Sequence, residues 1–275
     1  YSSQKQYDKS EVLLAKAYDI DNNLIDVFSL RVRNYGIQKN FKKAHALCDQ
    51  QLITAKDNKR VQAFVYNIQA SIFMAQKDLD NASASYEKAI EIDPDYLKSY
   101  SSLAQILISR KDLKRAKYQY MEILNKNPDI AAPHMMLGTI YEMEENFGEA
   151  ENHYRKALKI NPDFVPAANN LAYLLADRTE NFDDALKYAK IAKEKFPDDP
   201  AIMDTLGLAY YKKQLYGNAV GEFIDSLKQL PDNPVVHYHL GLAYHKKGDI
   251  ELAEKELSKA LDLNNKFPGA KEAEE

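Results

Sequence analysis

The sequence lacks most of the features that mark disulfide-rich, membrane-spanning and nucleic-acid-binding proteins. It has one cysteine, Cys48, which excludes an internal disulfide framework and any metal site built from several cysteines. It has no apolar run long enough to cross a bilayer, so we expect no direct membrane insertion of this chain. Its Lys and Arg residues are intermixed with Asp and Glu at a net charge of -4, so no basic face for nucleic acid is expected.

Catalytic motifs are also missing. The sequence has no P-loop, dinucleotide fingerprint, HExxH zinc motif or nucleophile elbow, so we expect no enzyme, no cofactor and no metal site. His237, His239 and His245 lie close together, but residues two apart on one helix point away from each other. We therefore assign structural or surface roles to all six histidines. For Cys48 we predict a buried core thiol.

What the sequence does have is an internal repeat. KAIEIDPD at residues 88–95 recurs as KALKINPD at residues 156–163, which is 68 residues downstream. Half of that interval, 34 residues, is the period of the whole chain. It divides the chain into seven units, which are 25–62, 63–96, 97–130, 131–164, 165–199, 200–233 and 234–267.

Three positions inside the unit carry the repeat. Position 20 is alanine in all seven units, namely Ala44, Ala82, Ala116, Ala150, Ala185, Ala219 and Ala253, when one inserted residue is allowed in the 165–199 unit. Position 8 is small in six of the seven units, and position 11 is large in all of them. Apolar spacings of three, four and seven residues predict helices, and small residues at two fixed places allow two helices to approach closely. Each unit is therefore predicted to be a helical hairpin in an all-α fold.

The positions of proline and of short polar residues support the same hairpins. All ten prolines lie at unit boundaries, where they do not interrupt a helix. A short polar residue lies between the two predicted helices of six units, namely Asn40, Asp78, Asp112, Asn146, Asn181 and Asp249. Such residues are good N-caps for the second helix, and only the 200–233 unit has a leucine, Leu215, at this place.

The pattern small–large–Ala–large–Pro over 34 residues resembles the tetratricopeptide repeat (TPR). LGTIYEMEENFGEAENHYRKALKINPD at residues 137–163 carries nearly every expected feature, whereas the 25–62 and 165–199 units depart from the pattern. The resemblance implies an α-solenoid, a right-handed superhelix of stacked helical hairpins. Residues 1–24 align with the second helix of a truncated repeat, and residues 268–275 with the start of a further or capping helix. We therefore expect a fragment of a longer chain, with uncapped apolar ends through which it could self-associate.

The resemblance also implies a binding surface. In the TPR family, positions 2, 5, 9, 12 and 13 line a concave groove that holds a peptide or a partner's helix, so the expected partner is a protein or peptide. Leu208 and Leu242 are expected to pack against the next unit instead. No unit carries the Lys–Asn–Lys carboxylate clamp found in chaperone co-factors of the family. The predicted groove residues are Asn67, Ser71, Ser101, Gln105, Met135, Thr139, Asn169, Tyr173, Asp177, Asp204, Tyr211, Tyr238 and His245.

Residues 169–270 are similar to the C-terminal arrays of bacterial TPR proteins associated with exopolysaccharide production and exosortase (PEP-CTERM) protein sorting. This similarity implies a non-catalytic bacterial scaffold in envelope or exopolysaccharide assembly. Two alternatives stay open: a regulatory or substrate-recruiting array of a larger enzyme, such as a glycosyltransferase or methyltransferase, and a self-assembling scaffold. The compartment also stays open between a periplasmic or membrane-anchored bacterial parent and a cytoplasmic one.

Overall fold

A computed structural model describes residues 2–21 and 24–274. In these residues the chain is all-α, as predicted, and forms sixteen helices without a β-strand. Residues 1, 22 and 23 of the predicted first segment, and residue 275 of the last, lie outside the described residues. The chain divides into two compact units, residues 1–128 and residues 129–275.

The first unit contains seven of the helices. They are α1 (Ser2–Ile20), α2 (Ile25–Ile37), α3 (Phe41–Thr54), α4 (Lys59–Ala75), α5 (Leu79–Ile92), α6 (Leu97–Ser109) and α7 (Leu113–Lys126). Helices α2 and α3, α4 and α5, and α6 and α7 pair as hairpins that stack on one another. Helix α4 begins at Lys59, four residues before the predicted start of its repeat unit at residue 63.

The second unit contains the remaining nine described helices. They are α8 (Ala131–Met143), α9 (Phe147–Ile160), α10 (Val165–Arg178), α11 (Phe182–Lys195), α12 (Pro200–Lys212), α13 (Tyr216–Gln229), α14 (Pro234–Lys247), α15 (Ile250–Leu263) and α16 (Ala270–Glu274). The first eight of them form four hairpins, and α16 packs on α15. One core cluster of buried residues runs through these hairpins, from Ala150 to Ala243.

Each hairpin closes on the small residues that the sequence pattern singled out. The seven position-20 alanines are all buried. Position 8 contacts position 24 of the partner helix so closely that a Cβ atom added to Gly138 would lie 2.5 Å from the Tyr154 ring. A Cβ on Gly207 would lie 2.5 Å from Phe223. The predicted hairpin seam is therefore confirmed.

The turn inside a hairpin has a regular form that ends in the predicted cap. In five hairpins a non-glycine residue with φ between 57° and 62° directly precedes the N-cap, namely Lys39, Lys77, Lys111, Glu145 and Gln214. The side chains of Asn40, Asp78, Asp112, Asn146 and Asn181 accept a hydrogen bond from the backbone N–H three residues later, as N-caps do. Asp249 occupies the N-cap position without such a bond, because its carboxylate pairs with Lys247.

The one-residue insertion in the 165–199 unit is accommodated in its first helix. Helix α10 has 14 residues, against 13 in α8. Thr179 then ends α10 in an extended conformation, and its hydroxyl donates to the Leu175 carbonyl and accepts from the Asn181 backbone N–H. The longer helix moves the end of α10, with Asp177 and Arg178, one residue further along its hairpin.

Cys48 lies in the core of the first unit and is fully buried, as predicted. Burial, with the nearby Asp49, raises the pKa of its thiol to about 12. A thiol that stays protonated at neutral pH is a poor nucleophile and a poor metal ligand.

Candidate functional site

The first helices of the hairpins in the second unit form a row, since α10 contacts both α8 and α12, and α12 contacts α14. Side chains on this row line two clefts. We call the larger one, of about 550 Å³, the main cleft, and the smaller one, of about 400 Å³, the adjoining cleft. Glu142 of α8 and Tyr173 of α10 belong to the walls of both clefts.

These clefts bring together six of the predicted groove residues. Tyr173, Asp177 and Tyr238 line the main cleft. Tyr173 also lines the adjoining cleft, whose walls include three further predicted residues, Thr139, Asn169 and Asp204. The six come from four hairpins but share one face because they occupy groove positions of the same register.

Tyr173 is the aromatic side chain common to both clefts. Burial, and then the nearby carboxylates of Asp177 and Asp204, raise the pKa of Tyr173 to about 12. Its hydroxyl therefore stays protonated at neutral pH and can serve as a hydrogen-bond donor. The ring offers an apolar surface beside several carboxylates.

Carboxylates dominate the polar lining. Glu142 accepts a hydrogen bond from the Tyr154 hydroxyl, and burial raises the pKa of Glu142. Asp177 forms an ion pair with its neighbour Arg178, with the guanidinium Nε and a carboxylate oxygen 2.8 Å apart. Asp204 pairs with His239, whose Nδ1 lies 2.8 Å from a carboxylate oxygen. A buried acceptor adds to this lining, since Oδ1 of Asn169 receives no hydrogen bond from any residue in the described ranges.

Tyr238 is held by the segment that follows α15. Its hydroxyl donates to Glu272 at 2.6 Å, and its ring packs on Phe267 with the ring centroids 5.5 Å apart. Gly269, at φ 99°, lies so close that a Cβ there would be 2.5 Å from the Tyr238 ring, which explains glycine at that place. Tyr238 is thereby buried, so it presents little surface to a ligand and mainly positions Glu272 in the main cleft.

The remaining predicted residues of the second unit lie apart from these clefts. Tyr211 and His245 line a third cleft of about 580 Å³, next to α15 and α16. Met135 is not part of the wall of either cleft, but its thioether accepts hydrogen bonds from Thr139 and Asn170, which line the adjoining cleft. Leu208 is buried in the core cluster, and Leu242 packs against the cluster of Tyr238, Ala260, Phe267 and Ala270 and also lines the third cleft.

In the first unit the predicted residues are dispersed. Asn67 is buried and donates to the Ser99 hydroxyl at 3.1 Å, which links α4 to α6. Ser71 lines an apolar cleft of about 530 Å³ between α2 and α4. Ser101 is half-buried and Gln105 is exposed, both on α6.

Some lining residues were not among the predicted ones. Glu272 occupies position 5 of the next repeat, so continuing the register past residue 267 would have found it. Ser29 and Arg33 occupy positions 5 and 9 of the irregular 25–62 unit and line the apolar cleft with Ser71. His239 occupies position 6, which the family pattern does not assign to the groove.

Three of the histidines make contacts inside the second unit. His237 contacts Glu256 through Nδ1 and the Pro231 carbonyl through Nε2, and is buried. Nδ1 of His134 lies 3.0 Å from Nδ1 of His153. Among the residues that the structure describes, no group of three or more His, Cys, Asp or Glu side chains is placed to hold a metal ion. No helix in the described ranges combines the length and apolar character needed to cross a membrane.

Three family models match the chain. A TPR repeat model matches residues 70–109 and 207–248, and two tetratricopeptide repeat models match residues 131–164 and 235–267. A search of curated proteins finds no match.

Solved structures of helical repeat proteins are similar to large parts of the chain. A chain of the APC/C hetero-tetramer Cut9–Hcn1 has a TM-score of 0.69 and 16% identity, covering 97% of this chain and 52% of that one. This chain therefore spans about half the length of that match. A tetratricopeptide repeat protein from Parabacteroides merdae has a TM-score of 0.64 and 16% identity, covering 90% and 96% of the two chains. YrrB, described as a TPR protein with an unusual peptide-binding site, has a TM-score of 0.56 and 25% identity, covering 70% and 98%.

The matched residues include both helices of the α8–α9 and α14–α15 hairpins, and the seam of small residues, the caps and the stacking of hairpins agree with that match. The chain is a tetratricopeptide repeat protein.

Proposed function

We propose that the chain is a non-catalytic scaffold that binds a peptide or a partner's helix, and that the main and adjoining clefts form its binding site. The observation that carries the proposal is that six groove-position residues from four hairpins line two clefts sharing Tyr173 and Glu142. An aromatic side chain amid polar groups in a concave site is the usual composition of a peptide-binding surface. The peptide-binding site named for YrrB is consistent with this function.

The experiment is selection of peptides from a random phage-displayed library on the chain, followed by affinity measurement with the synthetic peptides. Tyr173→Ala should lower the affinity for the selected peptides by about tenfold, because it removes the aromatic surface common to both clefts. Tyr118→Ala is the matched control, since Tyr118 is exposed on α7 in the other compact unit. Circular dichroism should show unchanged helicity for both variants. Peptides that bind Tyr173→Ala with full affinity would refute the assignment of the site.

The proposed association with exopolysaccharide production and protein sorting rests on the sequence similarity alone. None of the matched families or of the three structures named above is described as a protein of exopolysaccharide production or exosortase sorting. A role in bacterial envelope assembly therefore remains a proposal. An attached glycosyltransferase or methyltransferase domain remains the alternative, and the sequence of the parent protein would decide between them.

Self-association is a second candidate because α1 exposes apolar side chains. Leu13 is 68% exposed and Ile20 is 87% exposed. Light scattering over a range of concentrations would detect it, and a mass that stays monomeric throughout would exclude it.

A further inference from the structure

The negative charge of the chain is concentrated at the two clefts. Their walls contain five carboxylates and one guanidinium, that of Arg178. The chain has 41 acidic and 37 basic residues, so the residues outside the clefts contain 36 of each. The carboxylates belong to Glu142, Glu145, Asp177, Asp204 and Glu272.

Internal contacts neutralise only part of this charge. Glu142 and Glu272 each accept a hydrogen bond from a tyrosine hydroxyl, which is a neutral donor. Asp177 has the adjacent Arg178 as its ion-pair partner. Burial raises the pKa of Glu142, although the hydrogen bond from Tyr154 and the charge of Arg178 act in the opposite direction. Among the described residues, Arg178 is thus the one cation that serves both Glu142 and Asp177.

The uncharged lining also favours a donor-rich ligand. In the adjoining cleft, Oδ1 of Asn169 is a buried acceptor that receives no hydrogen bond within the described residues. Tyr173 lies within electrostatic reach of three carboxylates, those of Glu142, Asp177 and Asp204, and of one cation, Arg178. A ligand cation at the Tyr173 ring would therefore be close to more carboxylates than cations. These groups accept hydrogen bonds and attract positive charge, whereas an acidic segment would be repelled.

We propose that the main cleft binds a basic peptide segment, with an arginine or lysine side chain placed among Glu142, Asp177 and Glu272 and against Tyr173. A guanidinium suits this site because it forms paired hydrogen bonds with carboxylates and stacks on aromatic rings. The inference rests on the proposed function and specifies the chemistry of its ligand. A basic segment is the expected ligand because its charge is complementary to that of the cleft.

The test uses the full chain and three fluorescein-labelled probes of equal length: an alternating Arg–Ser peptide, its Gln–Ser counterpart and its Glu–Ser counterpart. The Arg–Ser probe should bind about tenfold or more tightly than the Gln–Ser probe, and the Glu–Ser probe should bind least. Its affinity should decrease as salt concentration rises. The triple variant Glu142→Gln, Asp177→Asn, Glu272→Gln should lose about tenfold in affinity for the Arg–Ser probe.

A matched triple, Glu180→Gln, Glu194→Gln and Asp198→Asn, changes the net charge equally at exposed residues of the same compact unit. It should alter affinity by less than about twofold. Equal losses in the two triples would overturn the inference, because the effect would then be one of overall charge. Circular dichroism checks that the triple variant of the cleft is folded. If it is not, the single variant Asp177→Asn, which should also lose affinity for the Arg–Ser probe, replaces it in the test.

The selection of peptides from the phage-displayed library distinguishes a basic ligand from peptide binding in general. If the selected peptides lose affinity for Tyr173→Ala but are not enriched in arginine or lysine, the proposal of a basic ligand is refuted and that of peptide binding is retained. A library that yields no peptide dependent on Tyr173 would instead overturn the binding site itself. Tyr173-dependent peptides enriched in basic residues would support both.

Discussion

At the residue scale, a glycine at position 8 faces a large aromatic residue at position 24 in two hairpin seams. Gly138 faces the large Tyr154, and Gly207 faces Phe223. In the irregular 25–62 unit the order is reversed, since Val32 stands at position 8 and the smaller Cys48 at position 24, both buried in one cluster. Close packing favours such compensation. The irregular 165–199 unit is an exception, because it has a buried alanine at both positions, Ala172 and Ala189.

Two glycine substitutions test this packing. Gly138→Ala should destabilise the chain by about 1–2 kcal/mol, because the added Cβ meets a Tyr154 ring whose hydroxyl is bonded to Glu142 and Thr139. Gly221→Ala, in the interior of α13, meets nothing within 4 Å and should stabilise the chain by about 1 kcal/mol through helix propensity. Urea unfolding measures both, and a stabilising Gly138→Ala would contradict the seam.

The contact between His134 and His153 predicts a loss of stability in mild acid. Burial, then His134 and Lys156, lower the pKa of His153 to about 4, and burial and Lys156 lower that of His134. In the unfolded chain both rings titrate near pH 6.5, so below that pH the unfolded chain binds more protons than the native one. Stability should therefore fall as the pH decreases from about 6.5 to about 4.

His153→Gln removes one of these titrating groups and keeps a hydrogen-bonding side chain. Over this pH range, the free energy of urea unfolding should fall by about 1–3 kcal/mol more in the wild-type chain than in the variant. The comparison cancels the titration of carboxylates, which both chains share. Parallel pH profiles for the two would show that the histidine contact does not cause the loss.

At the element scale, the second helix of each hairpin begins at a place that the sequence marked by its capping residue. Five of the six predicted N-caps make the expected side-chain bond, because an Asn or Asp oxygen at that place needs only a local backbone N–H. The left-handed residue before the cap was not predictable in this way. Lys39, Lys77, Lys111, Glu145 and Gln214 all adopt φ near 60°, although only Asn, Asp and Gly favour it, since the hairpin geometry imposes it.

Leu215 is the N-cap of α13 but has no side-chain acceptor and is 44% exposed. Leu215→Asp should supply the missing cap and stabilise the chain by about 0.5–1 kcal/mol, since little apolar burial is lost. Asn146→Ala removes an existing cap at the same place in another hairpin and should cost about 1 kcal/mol. Thermal unfolding of the two variants should shift in opposite directions, and shifts of the same sign would refute the capping argument.

At the scale of the whole molecule, the period predicted the hairpins and the face on which the clefts lie, but not which hairpins meet across a cleft. Glu142 of α8 and Glu272 of α16 are far apart in sequence, and their proximity depends on the curvature of the row of helices between them. A 34-residue pattern gives the position of a side chain within its repeat, whereas curvature accumulates from small rotations between repeats. The acidic character of the main cleft therefore became visible only in the structure.

Both clefts lie inside one compact unit, residues 129–275. In repeat proteins stability is close to a sum over repeats and their nearest neighbours, so a run of four complete hairpins can fold without the rest. We expect residues 129–275, expressed alone, to be helical, to unfold cooperatively in urea and to bind the Arg–Ser probe within about threefold of the full chain. Residues 1–128 are the control and should not bind this probe in a salt-sensitive manner, because they contribute no residue to either cleft. A folded 129–275 piece that fails to bind the probe, while the full chain binds it, would mean that the binding surface extends beyond the two clefts.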